Sequence, residues 1–205
     1  MSRKAYSQEE RTALKAKLHQ FALNIYLKKG IQNVKLPEIL HLAGISKPFF
    51  YTFYPSLGDL IIDIIDDQRM EILAILSQTQ ADDTLDWGGK IEAFLKTLLH
   101  HREHRLFILS PEEEVWLYQR LTKKSFDAFQ SMQIQFYGEL MKTWSVPFTA
   151  AAPQVIGNYL LSLIIIRNNA PKSLPFLFHD YLDETADLQI QLLIDYLDSL
   201  RSQNM

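Results

Sequence analysis

Between Ser46 and Thr52 the sequence SKPFFYT sets one ammonium, Lys47, beside two hydroxyl-bearing side chains, Tyr51 and Thr52, with the Phe49 ring between them. A lysine ammonium bonds phosphate oxygens or the acceptor edge of guanine, a tyrosine or threonine hydroxyl bonds phosphate, sugar or a base, and an aromatic ring packs on the methyl of thymine. The chemistry these types suggest is recognition of duplex DNA. They act together only if one surface holds them.

The stretch KLPEILHLAGISKPFFYTFY, Lys35 to Tyr54, can build that surface. Leu36, Ile39 and Leu42 recur at helical spacing, and Ala43-Gly44-Ile45 then breaks the run, because glycine adopts the left-handed conformation that ends a helix. Ser46 is a good N-cap, and Pro48 falls in the first turn, where its missing N–H costs nothing. A second helix therefore starts at Ser46. Ile45, Phe50 and Tyr54 form its apolar stripe against the first helix, which leaves Lys47, Phe49, Tyr51, Thr52 and Phe53 outside. Helix, glycine turn and donor-rich helix make the helix-turn-helix arrangement, whose second helix enters the major groove. An ordinary helical hairpin with an apolar surface fits the same spacing. Lys35 opens the first helix against its dipole, which suits either a nearby phosphate or plain exposure.

From about Leu18 to Leu60 the chain resembles the DNA-binding domain of the TetR/AcrR family of bacterial transcription regulators. The shared frame is Tyr26 and Gly30, then Ile39, then Ala43-Gly44-Ile45-Ser46-Lys47, then Tyr51, an aromatic, Pro55-Ser56 and Leu60. Lys35 stands where the family usually has a Ser or Thr cap, Pro48 where it has glycine, Phe53-Tyr54 where it has His-Phe, and Leu57 where it has a phosphate-binding lysine. The resemblance implies a homodimer joined through the last two long helices of each subunit. It also implies repression as the commoner mode of action.

Charge distribution supports the same segment independently. Residues 1–57 carry nine Lys/Arg against three Asp/Glu, a balance of +6, while residues 58–205 carry twelve against twenty-one, a balance of −9, within a total of −3. A basic head on an acidic body concentrates attraction for a phosphate backbone in one place. The 205 residues, 47% hydrophobic and 22% charged, suffice for one large or two small cores. With no cysteine there is neither a disulfide framework nor a thiolate nucleophile. The N-terminus MSRKAYSQEE lacks an apolar signal core, and the apolar run Leu160 to Ile166 is too short to span a bilayer, so a cytoplasmic protein without a membrane partner is expected.

The positioning elements follow from periodicity. Ser7-Gln8-Glu9-Glu10 is a capping box opening a helix with Leu14, Leu18, Phe21, Ala22 and Ile25 on one face and Gly30 at its end. Arg3, Lys4 and Arg11 suit a phosphate-reaching arm or a solvated terminus equally well. A helix from about Leu57 to Ser77 links head to body, and its Asp63, Asp66 and Asp67 read as a solvated acidic face, since they lack the loop and ligand spacing of a calcium site. Residues 78–88 are turn-rich and mark a loop.

Beyond it, Ile91, Phe94, Leu95, Leu98 and Leu99 mark a helix continuing into HHREHRLF. His100 and His104 are four apart, a spacing at which two imidazoles can share zinc, but no third ligand is evident. Ser110-Pro111-Glu112-Glu113 opens a helix bearing Trp116, and a helix from about Ser125 to Trp144 carries Phe126, Phe129, Met132, Phe136, Tyr137 and Met141. Such side chains fill a core or line an apolar ligand pocket. Helices over about 153–169 and 185–200 carry more apolar surface than one small body covers, the first on nearly all sides from Tyr159 to Ile166, the second on the stripe Leu188, Leu192, Leu193, Tyr196, Leu197 and Leu200.

The expected protein is all-α: an N-terminal three-helix bundle with a helix-turn-helix over residues 1–57, and a larger C-terminal helical ligand-binding and dimerisation domain over 58–205. The expected DNA-binding residues are Lys35, Ser46, Lys47, Pro48, Phe49, Tyr51 and Thr52. The expected effector-binding residues are Phe94, His104, Trp116, Phe129, Phe136 and Tyr137, for a small molecule of unknown identity. No catalytic residue, metal or cofactor is expected. Two other readings fit the residues, an enzyme using His100, His101 or His104 with nearby carboxylates, and a helical interaction protein that does not bind DNA.

Overall fold

The computed structural model describes residues 7–100, 109, 111–148, 152–173 and 178–202. Among them every regular element is helical. By contact the chain forms two compact units, one of residues 1–67 with 109–129 and one of 68–108 with 130–205. This division is one of packing, whereas the expected boundary at 57/58 is one of function.

In the first unit, α1 (Gln8–Lys29) starts at the expected capping box: the Ser7 hydroxyl accepts the Glu10 N–H, and the Glu10 side chain accepts the Ser7 N–H. Leu14, Leu18, Ala22 and Ile25 form its buried face. Gly30 ends it at φ 78°, and a 3-10 turn, Ile31–Asn33, follows. Then come α2 (Leu36–Ala43), α3 (Lys47–Phe50) and the first part of α4 (Leu57–Gln80). The unit also holds the helix Pro111–Tyr118. Ile31, Ile39, Phe50, Leu60 and Ile61 have no exposed surface and make the interior of this head. Leu42 departs from the expected stripe. It is 48% exposed, while Ile39 on the same helix is fully enclosed.

The second unit takes the rest of α4, α5 (Trp87–His100), most of α7 (Lys123–Thr143), α8 (Pro153–Ser173) and α9 (Leu182–Ser202). Between α5 and α7 lies α6 (Pro111–Tyr118), which belongs to the first unit. Against the limits expected from sequence, α4 and α8 run three and four residues further at their C-terminal ends, α9 starts three residues earlier and ends two later, and α7 starts two residues earlier and ends one earlier. Only the centre of the turn-rich stretch at 78–88 is loop, since α4 continues to Gln80 and α5 begins at Trp87. The continuation HREHRLF, residues 101–107, lies outside the described residues. Phe94, Leu95, Trp144, Leu163 and Leu197 are among the side chains closing one core around α5, which packs on α8 and α9. Gly157 lets α8 lie close to α7, for a Cβ there would come within 2.6 Å of the Tyr137 ring.

Two apolar runs are divided between faces. On α9, Ile190, Leu193, Ile194, Leu197 and Leu200 are buried, while Leu188, Leu192 and Tyr196 are 60, 54 and 42% exposed. On α8, Leu160, Leu163 and Ile164 are buried, and Leu161 and Ile165 point outward. No helix is long and apolar enough to cross a membrane among the described residues.

Gly44 closes α2 at φ 66°, ψ 32°, with its N–H bonded to the His41 and Leu40 carbonyls. A Cβ there meets nothing within 4 Å, so the cost of a side chain is backbone strain alone. Gly44→Ala should destabilise the head by about 1 kcal/mol and lower its melting temperature, whereas Gly44→Asn should recover most of the loss. Equal melting of all three proteins would contradict this assignment.

Candidate nucleic-acid interface

Ser46 caps α3 through its hydroxyl, which accepts the Phe49 N–H at 3.4 Å, and Pro48 occupies the first turn, where no backbone donor is needed. The helix is only four residues long, and the chain then continues as turns through Phe53. The expected second helix is therefore shorter than its sequence suggested. Of the expected inward stripe, Phe50 is fully enclosed and Tyr54 is buried, with their rings 5.6 Å apart, while Ile45 is half-buried.

With those two seated, the outward set is fixed. Lys47, Pro48, Tyr51 and Thr52 are exposed, and Phe49 is half-buried, its ring edge-on to Phe53 at 5.3 Å. The Thr52 hydroxyl donates to the Phe49 carbonyl at 2.8 Å and keeps its lone pairs outward as acceptors. Lys35, at the N-cap of α2, is exposed and makes no side-chain cap bond. Neither Lys35 nor Lys47 makes an ion pair among the described residues. Lys47, Pro48, Phe49, Tyr51, Thr52 and the Ser46 cap thus share one short segment, with Lys35 one helix earlier.

Several residues that hold this segment escaped the sequence reading. Arg11, expected as a phosphate arm or a solvated end, folds back instead: its guanidinium lies 4.4 Å over the Phe53 ring and donates to the Thr52 carbonyl at 3.3 Å. Arg3 and Lys4 lie outside the described residues. The acidic face of α4 is also corrected. Asp63 accepts the Tyr54 hydroxyl at 2.6 Å and Lys15 Nζ at 2.8 Å, and His19 sits between Asp63 and Asp67, its Nε2 and Nδ1 each 2.7 Å from a carboxylate oxygen. Burial pushes the Tyr54 hydroxyl well above its usual range, and the hydrogen bond to Asp63 adds to the rise. Burial would likewise raise Asp63, but the hydrogen bonds from Lys15, Tyr54 and His19 outweigh it and hold that carboxyl below its usual range.

A second brace comes from α6. Glu113, read from sequence as an acid in a helix first turn, accepts the Ile31 N–H at 3.1 Å, satisfying a donor at the start of the 3-10 turn. Burial raises the Tyr26 hydroxyl, and the charge of Glu113 raises it further.

The residues expected to meet an effector are distributed between the two units. Phe94 is enclosed in the core of the second, edge-on to Trp144 at 5.8 Å, and Phe136 and Tyr137 flank that core with their rings 5.1 Å apart. Trp116 and Phe129 belong to the first unit, where Arg120 lies 3.9 Å over Trp116 and Tyr118 lies 6.4 Å from Phe129. His104 and His101 fall outside the described residues. Among the described residues no group of three His, Asp or Glu could hold a metal ion.

No family model matches the chain, and no curated protein matches it. Among solved structures, it is similar to the crystal structure, at 2.50 Å resolution, of a transcriptional regulator of the TetR/AcrR family from Thermobifida fusca YX-ER1, with 20% identity over 88% of this chain and 96% of that one and a TM-score of 0.46. It is also similar to a TetR-like transcriptional regulator from Rhodococcus sp. RHA1, with 17% identity over 91% of this chain and 94% of that one and a TM-score of 0.42. At such identity and superposition, functional assignment rests on the chain's own residues.

Proposed function

We propose that the chain is a DNA-binding transcription regulator, a cytoplasmic homodimer that represses from a pseudo-palindromic operator and responds to a small-molecule effector. One observation carries the reading: burial of Phe50 and Tyr54 leaves Lys47, Pro48, Tyr51 and Thr52 exposed together, within a segment of 57 residues whose balance is +6. A cation and hydroxyls on a short capped helix, on a basic head, suit phosphate and base-edge contact in a major groove. Lys47 reaches phosphate or a guanine edge, Phe49 packs on thymine methyls, the Tyr51 hydroxyl bonds phosphate, and Lys35 adds a further phosphate contact.

Two such heads must meet half-sites about 34–36 Å apart, one turn of duplex. The outward apolar rows Leu188, Leu192, Tyr196 on α9 and Leu161, Ile165 on α8 support pairing of two copies through these helices. The effector acts from the body, residues 58–205, by favouring the conformer whose heads mismatch the half-sites, and its leverage equals its difference in affinity between the two conformers. The continuous helix α4, Leu57–Gln80, connects the two regions.

Binding to duplex DNA should weaken steeply with added salt, as counterion release requires. Lys47→Ala and Tyr51→Phe should each lower affinity by roughly five- to thirtyfold with melting unchanged, a loss on the order of 1–2 kcal/mol. Full affinity in both variants would remove these residues from the interface, and no salt-dependent binding at all would sink the regulator reading. Sedimentation should show a dimer that Leu192→Glu converts to folded monomer; a monomeric parent would exclude pairing through α9.

A further inference from the structure

We propose that the chain selects its operator by the methyl groups of thymine, through an apolar patch of Pro48, Phe49 and the Thr52 methyl, and that this segment makes no bidentate hydrogen bond to a base. The proposal deepens the DNA-binding reading and rests on it.

The argument is one of elimination among base-edge features. Adenine is told apart by a side-chain amide that meets its N6 donor and N7 acceptor together, cytosine by a carboxylate on its N4, and guanine by a cation on O6 and N7. From Ser46 to Tyr54 the chain holds no Asn, Gln, Asp, Glu or Arg. Glu38, one helix earlier, is tied to Lys29 at 3.4 Å. Arg11 has the fork that suits guanine, but its guanidinium stacks 4.4 Å over Phe53 and donates to the Thr52 carbonyl at 3.3 Å.

The polar groups left on the surface discriminate poorly. Lys47 carries a compact charge on a flexible stem, which phosphate oxygens accept as well as a guanine edge does. The Tyr51 hydroxyl both donates and accepts, so either kind of base edge satisfies it. The Thr52 hydroxyl gives its proton to the Phe49 carbonyl at 2.8 Å, and its remaining lone pairs do not separate the donor of adenine from that of cytosine. What remains is apolar: the exposed Pro48 ring, the half-buried Phe49 ring and the methyl of exposed Thr52. The one major-groove feature such groups distinguish is the C5 methyl of thymine.

The patch is also held in place before any partner arrives. The Phe49 ring stands edge-on to Phe53 at 5.3 Å and 88°, and Phe53 is in turn covered by Arg11. A side chain already fixed loses little freedom on binding. The charge around it names the occupant. An acid-free segment on a head with a balance of +6 attracts a polyanion, and a polyanion that also presents methyl groups in a groove is thymine-bearing duplex.

The test uses the full-length protein and the duplex it selects from a random-sequence pool. That duplex is remade with deoxyuridine for thymidine, which deletes only the methyl, and separately with 7-deazaguanine for guanine, which deletes the N7 acceptor. At fixed salt the wild type should bind the deoxyuridine duplex about three- to fourfold more weakly for each contacted thymine, as loss of one buried methyl-sized group requires. Phe49→Ala should bring the ratio of the two affinities towards one, and Pro48→Ala part of the way. Lys47→Ala should weaken both duplexes alike and leave the ratio standing. Each ratio is taken within one protein, so a reduced folded fraction in a variant cancels. Equal binding of the thymidine and deoxyuridine duplexes by the wild type would overturn the proposal, as would a larger loss with 7-deazaguanine. A ratio unchanged in both Phe49→Ala and Pro48→Ala would assign the preference to duplex shape and remove it from these residues. Salt-dependent binding without any effect of the methyl defeats this proposal alone, whereas no duplex binding at all defeats the regulator reading beneath it.

Discussion

A helix of four residues has no stability of its own, since the first turn fixes several dihedrals for a single hydrogen bond. The orientation of α3 therefore depends on where Phe50 goes. Its ring is fully enclosed and flanked by Tyr51 and Tyr54, and this burial, worth roughly 1.5–3 kcal/mol for a Phe side chain, holds the segment against the head. Once Phe50 faces inward, the short capped turn leaves Lys47, Pro48, Tyr51 and Thr52 outward. The surface offered to a partner is thus a consequence of one buried ring.

Polar ties then fix what burial alone would leave loose. Arg11 reaches the Thr52 carbonyl and the Phe53 ring, and Tyr54 is bound to α4 through Asp63. Both ties anchor the trailing end of the segment, where regular helix has stopped and the backbone has fewer hydrogen bonds of its own. Glu113 performs a similar service one connection earlier, by accepting the Ile31 N–H after α1 ends. An ionised carboxylate in a partly buried setting is costly unless its lone pairs are engaged, and Asp63 meets that condition with lysine, tyrosine and histidine donors together.

In the second unit the same economy of surface leads elsewhere. Trp144 is buried against Phe94 and receives the Trp87 indole N–H on its carbonyl at 2.8 Å, and Lys96 ties α5 to Asp187 of α9 at 3.2 Å. The core around these contacts takes one face each of α5, α8 and α9. The helices carry apolar residues on more than one face, and a single copy of the unit leaves the rows headed by Leu188 and Leu161 in water. The aromatic residues of α7 are divided between the units, Phe129 in one and Phe136 and Tyr137 in the other, so helical spacing alone did not say which of them share an environment.

The sequence by itself determined the helical class, the cap at Ser7, the left-handed stop at Gly44, the start at Ser46 and the inward pair Phe50 and Tyr54. Each is a local matter of backbone preference or of a period of 3.6 residues. It also placed positive charge on the head and negative charge on the remainder. The tertiary structure decided how short α3 is, which apolar residues of α8 and α9 stay outside, and that Asp63 and Asp67 are tied to α1 through His19. The reason is separation along the chain: His19 and Asp63 lie 44 residues apart, Ile31 and Glu113 lie 82 apart, and no local rule relates them. A faint trace was present, since Lys15 and His19 on one helix and Asp63 and Asp67 on another are both four apart, matching rows of opposite charge. Only folding showed that the two rows face each other.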